Sequence, residues 1–349
     1  MTQHGRLRRM GLISAATAAA TLIGSRRART IRAVAPELRS PALWLPVTTC
    51  DPVTLWITRR IGGHYVTRVD DSVTVTRHDI EGGQDVYVYR PEKAGGGALL
   101  WIHGGGTVSG TPEHDHALCS RLARDHGILV ASARYRLAPE HPFPAAHDDC
   151  FAALRWLHRF ADLLGIDPDR IAVGGGSAGG GLAAGVVQQA VDEGVPVAFQ
   201  LLLYPMLDDR TTTRPRSRRG HLVWTRRSNA FGWASYLGPD HAFRELPPYA
   251  APGRRTDLTG LPPTWIGVGD LDLFYEENLA YAQRLTAAGT PVDLRIEPGM
   301  YHAADYLKHK SPSMRAFRQS LSDAIGQGLG IKDRTEGSVG VCVANGSVP

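Results

Sequence analysis

From residue 73 onward, apolar and polar positions follow two alternating periods. Val73 to Thr76 and Val86 to Tyr89 alternate residue by residue, the period of half-buried strands. Gly95-Gly96-Gly97 then breaks the chain before Ala98-Leu99-Leu100-Trp101-Ile102, a short continuous apolar run of the kind that forms a strand buried on both faces. Thr111-Pro112-Glu113 reads as the cap and first turn of a helix stopping at Gly127, followed by a strand from Ile128 to Ala133. A helix is predicted from about Ala145 to Leu164, and Arg170 to Val173 is a further buried strand. The next helix runs to Gly194, with strand again over Ala198 to Tyr204. Late strands at Trp265 to Val268 and Val292 to Ile296 flank a helix from Glu276 to Ala288, and a last helix covers about Met314 to Leu329. Strand and helix in alternation imply an α/β fold, a mostly parallel central sheet with helices on both faces.

Length and composition fit one large core: 349 residues, 43% of them hydrophobic. The net charge of +5 conceals an uneven distribution. Residues 1 to 40 hold eight arginines against Glu37 alone, and residues 210 to 227 hold seven arginines and no acid. Outside those two segments, 24 basic residues face 33 acids, so the body is acidic. Cys50, Cys119, Cys150 and Cys342 are far apart with no C-x-x-C pair, which indicates reduced packing thiols rather than a zinc site or disulfide framework.

The first 30 residues are a basic and apolar segment. An alanine-rich run from Met10 to Gly24 follows Arg6, Arg8 and Arg9, as in an export signal, but Arg26, Arg27 and Arg29 stand where cleavage would fall. The run is too short and alanine-rich to span a bilayer. A cytoplasmic location is expected, with export as the alternative. Residues 331 to 349, rich in Gly, Ser and Val, read as a loose tail.

The chemistry lies in the turns. Gly175-Gly176-Ser177-Ala178-Gly179 sits between a buried strand and a helix, where small residues two before and two after the serine allow a sharp turn that exposes its hydroxyl. The Ala178 N–H then lies at a helix N-terminus, where the dipole favours a developing oxyanion. The same stretch satisfies the dinucleotide fingerprint G-x-G-x-x-G. That reading expects an acid ending the next strand, whereas this chain has Leu201-Leu202-Leu203-Tyr204. It also leaves His103-Gly104-Gly105-Gly106 unexplained, a run whose unshielded N–H groups suit an anionic oxygen. His103 precedes the serine, so it is read as bracing its loop rather than taking protons. An orienting acid belongs after a late strand, and both Asp270 and Asp272 qualify. A base belongs after the last strand, where His302 stands.

Three stretches together resemble the hormone-sensitive-lipase-like esterases, the bacterial family IV lipolytic enzymes: His103 to Gly106, Tyr135-Arg136-Leu137-Ala138-Pro139-Glu140-His141-Pro142-Phe143-Pro144, and Gly176-Ser177-Ala178-Gly179-Gly180. The likeness runs from about residue 73 to 325. It implies an α/β-hydrolase fold with a helical cap, no cofactor and no metal, and hydrolysis of carboxylic esters of short to medium acyl chains. It assigns oxyanion donors to Gly104, Gly105, Gly106 and Ala178. Asp272-Leu273-Phe274 with Glu276-Glu277 is similar to the family's D-x-L-x-D-E run and selects Asp272 over Asp270, and Gly299-Met300-Tyr301-His302 resembles its G-x-x-H turn. Ser177, Asp272 and His302 are thus the expected triad. Two positions depart from the family: Gly176 replaces an acid before the serine, and Thr107 an aromatic after the glycine run, altering the wall of the acyl pocket.

By the same resemblance, residues 31 to 330 form one domain whose cap comes from about 31–70 and 207–245. Thr107, Trp224 and Phe231 are candidate pocket residues, with Leu222, Val223, Trp233 and Tyr236 lining the pocket or forming the cap's own core. The arginines at 210, 214, 216, 218, 219, 226 and 227 read as a solvated lid surface, or more sharply as a site for an anionic ester or acidic partner. His114-Asp115-His116 has metal-binding residue types, but positions i and i+2 on a helix point apart. A small-molecule ester is the expected partner; nucleic acid and stable membrane insertion are not expected, and a homodimer is compatible with the sequence. A deacetylase or amidase acting on a secondary metabolite, and a non-catalytic ligand-binding relative, are the alternative functions.

Overall fold

The computed structural model describes residues 25, 27–45, 50–62, 65–80, 83–215, 217 and 219–331. Eight strands form one sheet: β1 (Val73–Asp79), β2 (Asp85–Pro91), β3 (Ala98–Ile102), β4 (Leu129–Ala133), β5 (Ile171–Gly176), β6 (Phe199–Leu203), β7 (Thr264–Gly269) and β8 (Val292–Glu297). Their spatial order is β1-β2-β4-β3-β5-β6-β7-β8. β2 runs antiparallel to both β1 and β4, and the remaining pairs are parallel. β3 to β7 are buried along their whole length, as continuous apolar runs require, whereas β8 alternates and forms an edge.

Successive side chains leave a strand on opposite faces, so the central strands divide the core in two. Leu100, Ile102, Val173, Leu202 and Ile266 join one apolar cluster with the helices Ala145–Arg159, Ala178–Asp192 and Tyr275–Ala287. Leu99, Trp101, Leu201, Leu203 and Trp265 join a second with the helices His116–His126 and Pro312–Gly328. Among the described residues no helix is long and apolar enough to cross a membrane. Cys50, Cys119 and Cys150 are buried free thiols, and Cys342 lies outside the described residues.

β1 and β5 run three residues past the expected Thr76 and Val173, and three helices differ from the periodicity in how they begin, divide or end. The helix expected from Thr111 opens as a 3-10 turn, Pro112–Asp115, before the α-helix begins at His116. The helix expected to reach Leu164 divides at Phe160, whose φ of −106° and ψ of 18° leave the helical basin, into Ala145–Arg159 and Ala161–Leu164. The serine helix stops at Asp192, two residues short of Gly194.

The segments outside the core rhythm take separate places. Residues 31–45 bury Ile31, Val34 and Leu38 in the second cluster. There the Ala35 N–H donates to the Gly299 carbonyl at 3.2 Å, and the Tyr301 hydroxyl donates to the Leu38 carbonyl at 3.3 Å, so this segment buttresses the loop that ends in His302. The helix Leu55–Gly62 instead faces the mouth of the site with Thr58 and Arg59. Residues 1–24 and 332–349 fall outside the described residues, and so do the expectations placed on them.

Candidate active site

Every part of the site hangs from the C-terminal ends of parallel strands, where open α/β sheets place their ligands. β5 ends at Gly176, and Ser177 follows with φ 58° and ψ −120°, a conformation few side-chain-bearing residues adopt. Three backbone hydrogen bonds hold it: Ser177 N–H to the Leu203 carbonyl at 2.8 Å, Met206 N–H to the Ser177 carbonyl at 2.9 Å, and Gly181 N–H to the same carbonyl at 3.1 Å. Gly179 permits the turn because a Cβ there would overlap the carbonyls of Ile102 and His103, so only glycine lets the helix approach β3 this closely. Ala178 is the first helical residue, and its N–H therefore has no partner within the helix.

Two loops bring the other groups to the serine. Asp272 follows β7 and His302 follows β8, and both are buried, at 1% and 5% exposure. His302 Nε2 lies 2.9 Å from Ser177 Oγ, and His302 Nδ1 lies 2.7 Å from Asp272 Oδ2. A carboxylate only accepts, so Nδ1 carries the proton and Nε2 is left to accept from the serine hydroxyl. The second Asp272 oxygen accepts from the Phe274 N–H at 2.9 Å, which fixes the carboxylate plane. The imidazole is walled by the rings of Tyr204 and Phe274, both edge-on, at centroid distances of 4.7 and 5.3 Å. Asp270 has a different task, accepting from the Gly299 N–H at 2.7 Å and closing the turn that leads to His302.

Gly104, Gly105 and Gly106 line the same cavity as Ser177 and His302. His103 stacks on Tyr135 with centroids 4.2 Å apart, and the Tyr135 hydroxyl donates to the His103 carbonyl at 3.0 Å. Burial pushes the imidazole down to about 3, so it is neutral at working pH, and its Nδ1–H donates to the Gly104 carbonyl at 2.8 Å. It braces the glycine loop. The Tyr135–Pro144 connection is likewise held by ion pairs: Arg136 grips Asp149 at 2.7 Å, and Glu140 receives Arg59 from the helix Leu55–Gly62 at 2.7 Å.

The cavity measures about 440 Å³. Of the candidate pocket residues, Trp224 lines it, with its six-membered ring against Gly106. Thr107 is buried and faces a separate small hollow shared with Ala178, Trp233 and Tyr236, and Phe231 lines neither space and packs against the first core cluster. Sequence reasoning passed over several residues that do line the main cavity, among them Cys50, Thr58, Arg59, Tyr204 and Tyr306. Tyr204 carried the only usable signal, ending the apolar run Ala198–Tyr204 one residue past β6 and hence standing at the sheet's C-terminal edge.

The arginine-rich segment is not the free positive surface its composition suggested. Arg210 and Arg214 both pair with Asp208, at 2.9 and 3.0 Å, and Arg227 pairs with Asp51 at 3.0 Å. Arg219 pairs with Glu276 at 2.6 Å and covers the Tyr275 ring, and Arg226 bonds the Arg214 carbonyl at 2.5 Å. Arg216 and Arg218 lie outside the described residues. Of the His114-Asp115-His116 triplet, His116 bonds the Tyr89 hydroxyl and Asp115 the Trp101 indole. No group of three or more metal-ligating side chains occurs among the described residues.

The chain is similar to known proteins in sequence and in fold. A family described as alpha/beta hydrolase fold matches residues 99–305. The chain is similar to the carboxylic ester hydrolase LipN of Mycobacterium tuberculosis, 42% identical over 61% of this chain and 59% of that protein. It is also similar to the esterase LipI of the same organism, 35% identical over 68% of this chain and 73% of that one. The alignments to LipN and to the carboxylesterase NlhH reach only 59% and 65% of those proteins' lengths. Among solved structures, a bacterial heroin esterase superposes with a TM-score of 0.78 at 38% identity, covering 86% of this chain and 99% of its own. With the serine elbow, the glycine loop and the sheet order all in place, the chain belongs to the hormone-sensitive-lipase-like branch of the α/β-hydrolase fold family.

Proposed function

We propose that this chain is a carboxylic ester hydrolase acting on esters of short to medium acyl chains through an acyl-enzyme on Ser177. The observation that carries the reading is the continuous relay from Ser177 Oγ through the His302 ring to Asp272, at 2.9 and 2.7 Å, with Ser177 and His302 lining one cavity. His302 Nε2 takes the hydroxyl proton as Oγ attacks the ester carbonyl, and Asp272 stabilises the resulting imidazolium. The N–H groups of Gly105, Gly106 and Ala178 receive the oxyanion, with Gly104 shaping the loop. His302 then returns its proton to the departing alcohol, and water attacking by the same route frees the acid.

The names of two relatives support a short acyl group: an ethyl acetate hydrolase of Pseudomonas putida, 34% identical over 62% of this chain, and an acetyl-hydrolase of Streptomyces hygroscopicus, 34% identical over 69%. Residues 50–62 and 222–237 would serve as the cap over the cavity. Ser177→Ala tests the reading: turnover of p-nitrophenyl acetate or butyrate should fall by roughly four to six orders of magnitude with circular dichroism unchanged. Turnover that survives the substitution would refute the assignment of the nucleophile.

A further inference from the structure

The cavity that holds Ser177 is apolar over most of its wall, and one carboxyl group stands out in it. Asp115 lines the cavity and is 3% exposed. Its Oδ2 accepts from the Trp101 indole N–H at 2.7 Å, while its buried Oδ1 has no hydrogen-bond partner. Leaving a carboxyl oxygen buried and unpaired is costly, and folded proteins seldom tolerate it without a use.

Asp115 ends the 3-10 turn Pro112–Asp115 that opens the helix His116–His126. Here it makes no cap bond, and its side chain turns to β3 and the cavity instead. Among the described residues no cation pairs with it: Arg318 pairs with Asp305 at 3.2 Å, and Asp305 also accepts from the Tyr204 hydroxyl at 2.8 Å. The indole bond fixes the carboxyl in place before any ligand arrives.

We infer that Asp115 is a specificity-determining residue whose free oxygen accepts a hydrogen bond from a hydroxyl on the substrate, so that the preferred esters carry such a group remote from the scissile bond. The proposal rests on the hydrolase reading and deepens it. A site built to bond a hydroxyl discriminates strongly against the analogue lacking it, because the polar group is then buried without a partner.

Burial raises Asp115 to about 7; the cavity it lines also holds His114 and His302, and His116 follows it in the chain. Tyr89, Tyr135, Tyr204 and Cys119 are all pushed upward by burial and stay neutral, His103 is pushed down and is neutral, and Arg318 and Asp305 pair with each other. A hydroxyl donor is therefore held more tightly as pH rises from 6 to 8 and the carboxylate forms.

The test compares matched esters. One series is p-nitrophenyl esters whose acyl chains end in a hydroxyl or in a methyl of equal length; the other is monoacetates of terminal diols against acetates of n-alcohols. The wild type should favour the hydroxylated member by about tenfold or more in kcat/KM in one of the two series, which also tells whether the acyl or the alcohol group reaches Asp115. Asp115→Leu should bring that ratio to within about twofold of unity whatever happens to the absolute rates. Asp115→Asn, which keeps an acceptor for the Trp101 indole, should lower the ratio and erase its pH dependence. No preference in either wild-type series, or a preference that survives both substitutions, overturns the proposal. Calorimetric binding of the same pairs to Ser177→Ala protein reads discrimination without turnover, so a failure of Asp115 recognition stays distinct from a failure of the hydrolase reading.

Discussion

At the scale of single residues, burial decides what each acidic group can do. Glu277 is 3% exposed at the foot of the helix Tyr275–Ala287 and accepts from the Leu207 N–H at 2.7 Å, the Asp208 N–H at 3.3 Å and the Thr211 hydroxyl. It ties the segment after β6 to the helix that follows Asp272. Burial outweighs those donors and raises its carboxyl to about 8 from an ordinary 4.5. The unfolded chain releases this proton from about pH 4.5, whereas the folded protein holds it to about pH 8. The contribution to stability is therefore complete below pH 4.5 and is lost as pH climbs to 8. Glu277→Gln should flatten the decline in Tm between pH 5 and 8 in a thermal melt series. A variant that declines as steeply as the wild type would mean that Glu277 is ionised in the folded state.

At the scale of elements, one arginine decides how the helix Leu55–Gly62 sits on the site. Arg59 donates to the Val108 carbonyl at 2.7 Å and the Ala138 carbonyl at 2.8 Å and grips both oxygens of Glu140. It thereby joins the helix to the loop after the glycine run and to the Tyr135–Pro144 connection. Arg59→Ala should raise KM by about tenfold with a smaller loss in kcat, and amide exchange across residues 55–62 should quicken. Lysine should restore little of this, because it cannot supply the guanidinium's planar set of donors. Equal exchange in wild type and variant would show that apolar packing alone holds the helix.

The strands that frame the site were legible because each is a compact run of one period, as at Ala98–Ile102 and Ile171–Gly176. The elbow, the glycine loop and His302 were legible because their order along the chain follows from the sheet that carries them. Asp115 was not: it read as the middle of a metal-like triplet, and what gives it meaning is an indole 14 residues away on a different element. The pairing of the arginine segment was hidden for the same reason, since Asp51, Asp208 and Glu276 meet four of its arginines only after folding. Phe160 is an ordinary helix former in the sequence, and nothing local marks it as the residue where a helix divides.

At the scale of the whole molecule, the reactive geometry belongs to no single element. Ser177 and His302 are 125 positions apart and His302 and Asp272 are 30 apart, so the relay exists only once β5 to β8 have assembled in register. The sheet then holds the serine at a φ of 58° that an isolated chain would not choose. Backbone held in so sparsely populated a region stores on the order of 1–3 kcal/mol. Glycine adopts that conformation freely, so a Ser177→Gly protein should be inert toward esters and yet melt several degrees higher than the active one. Such a result would give this fold a measurable tension between durability and reactivity: sequences selected for endurance alone would drift away from the side chain proposed as its nucleophile.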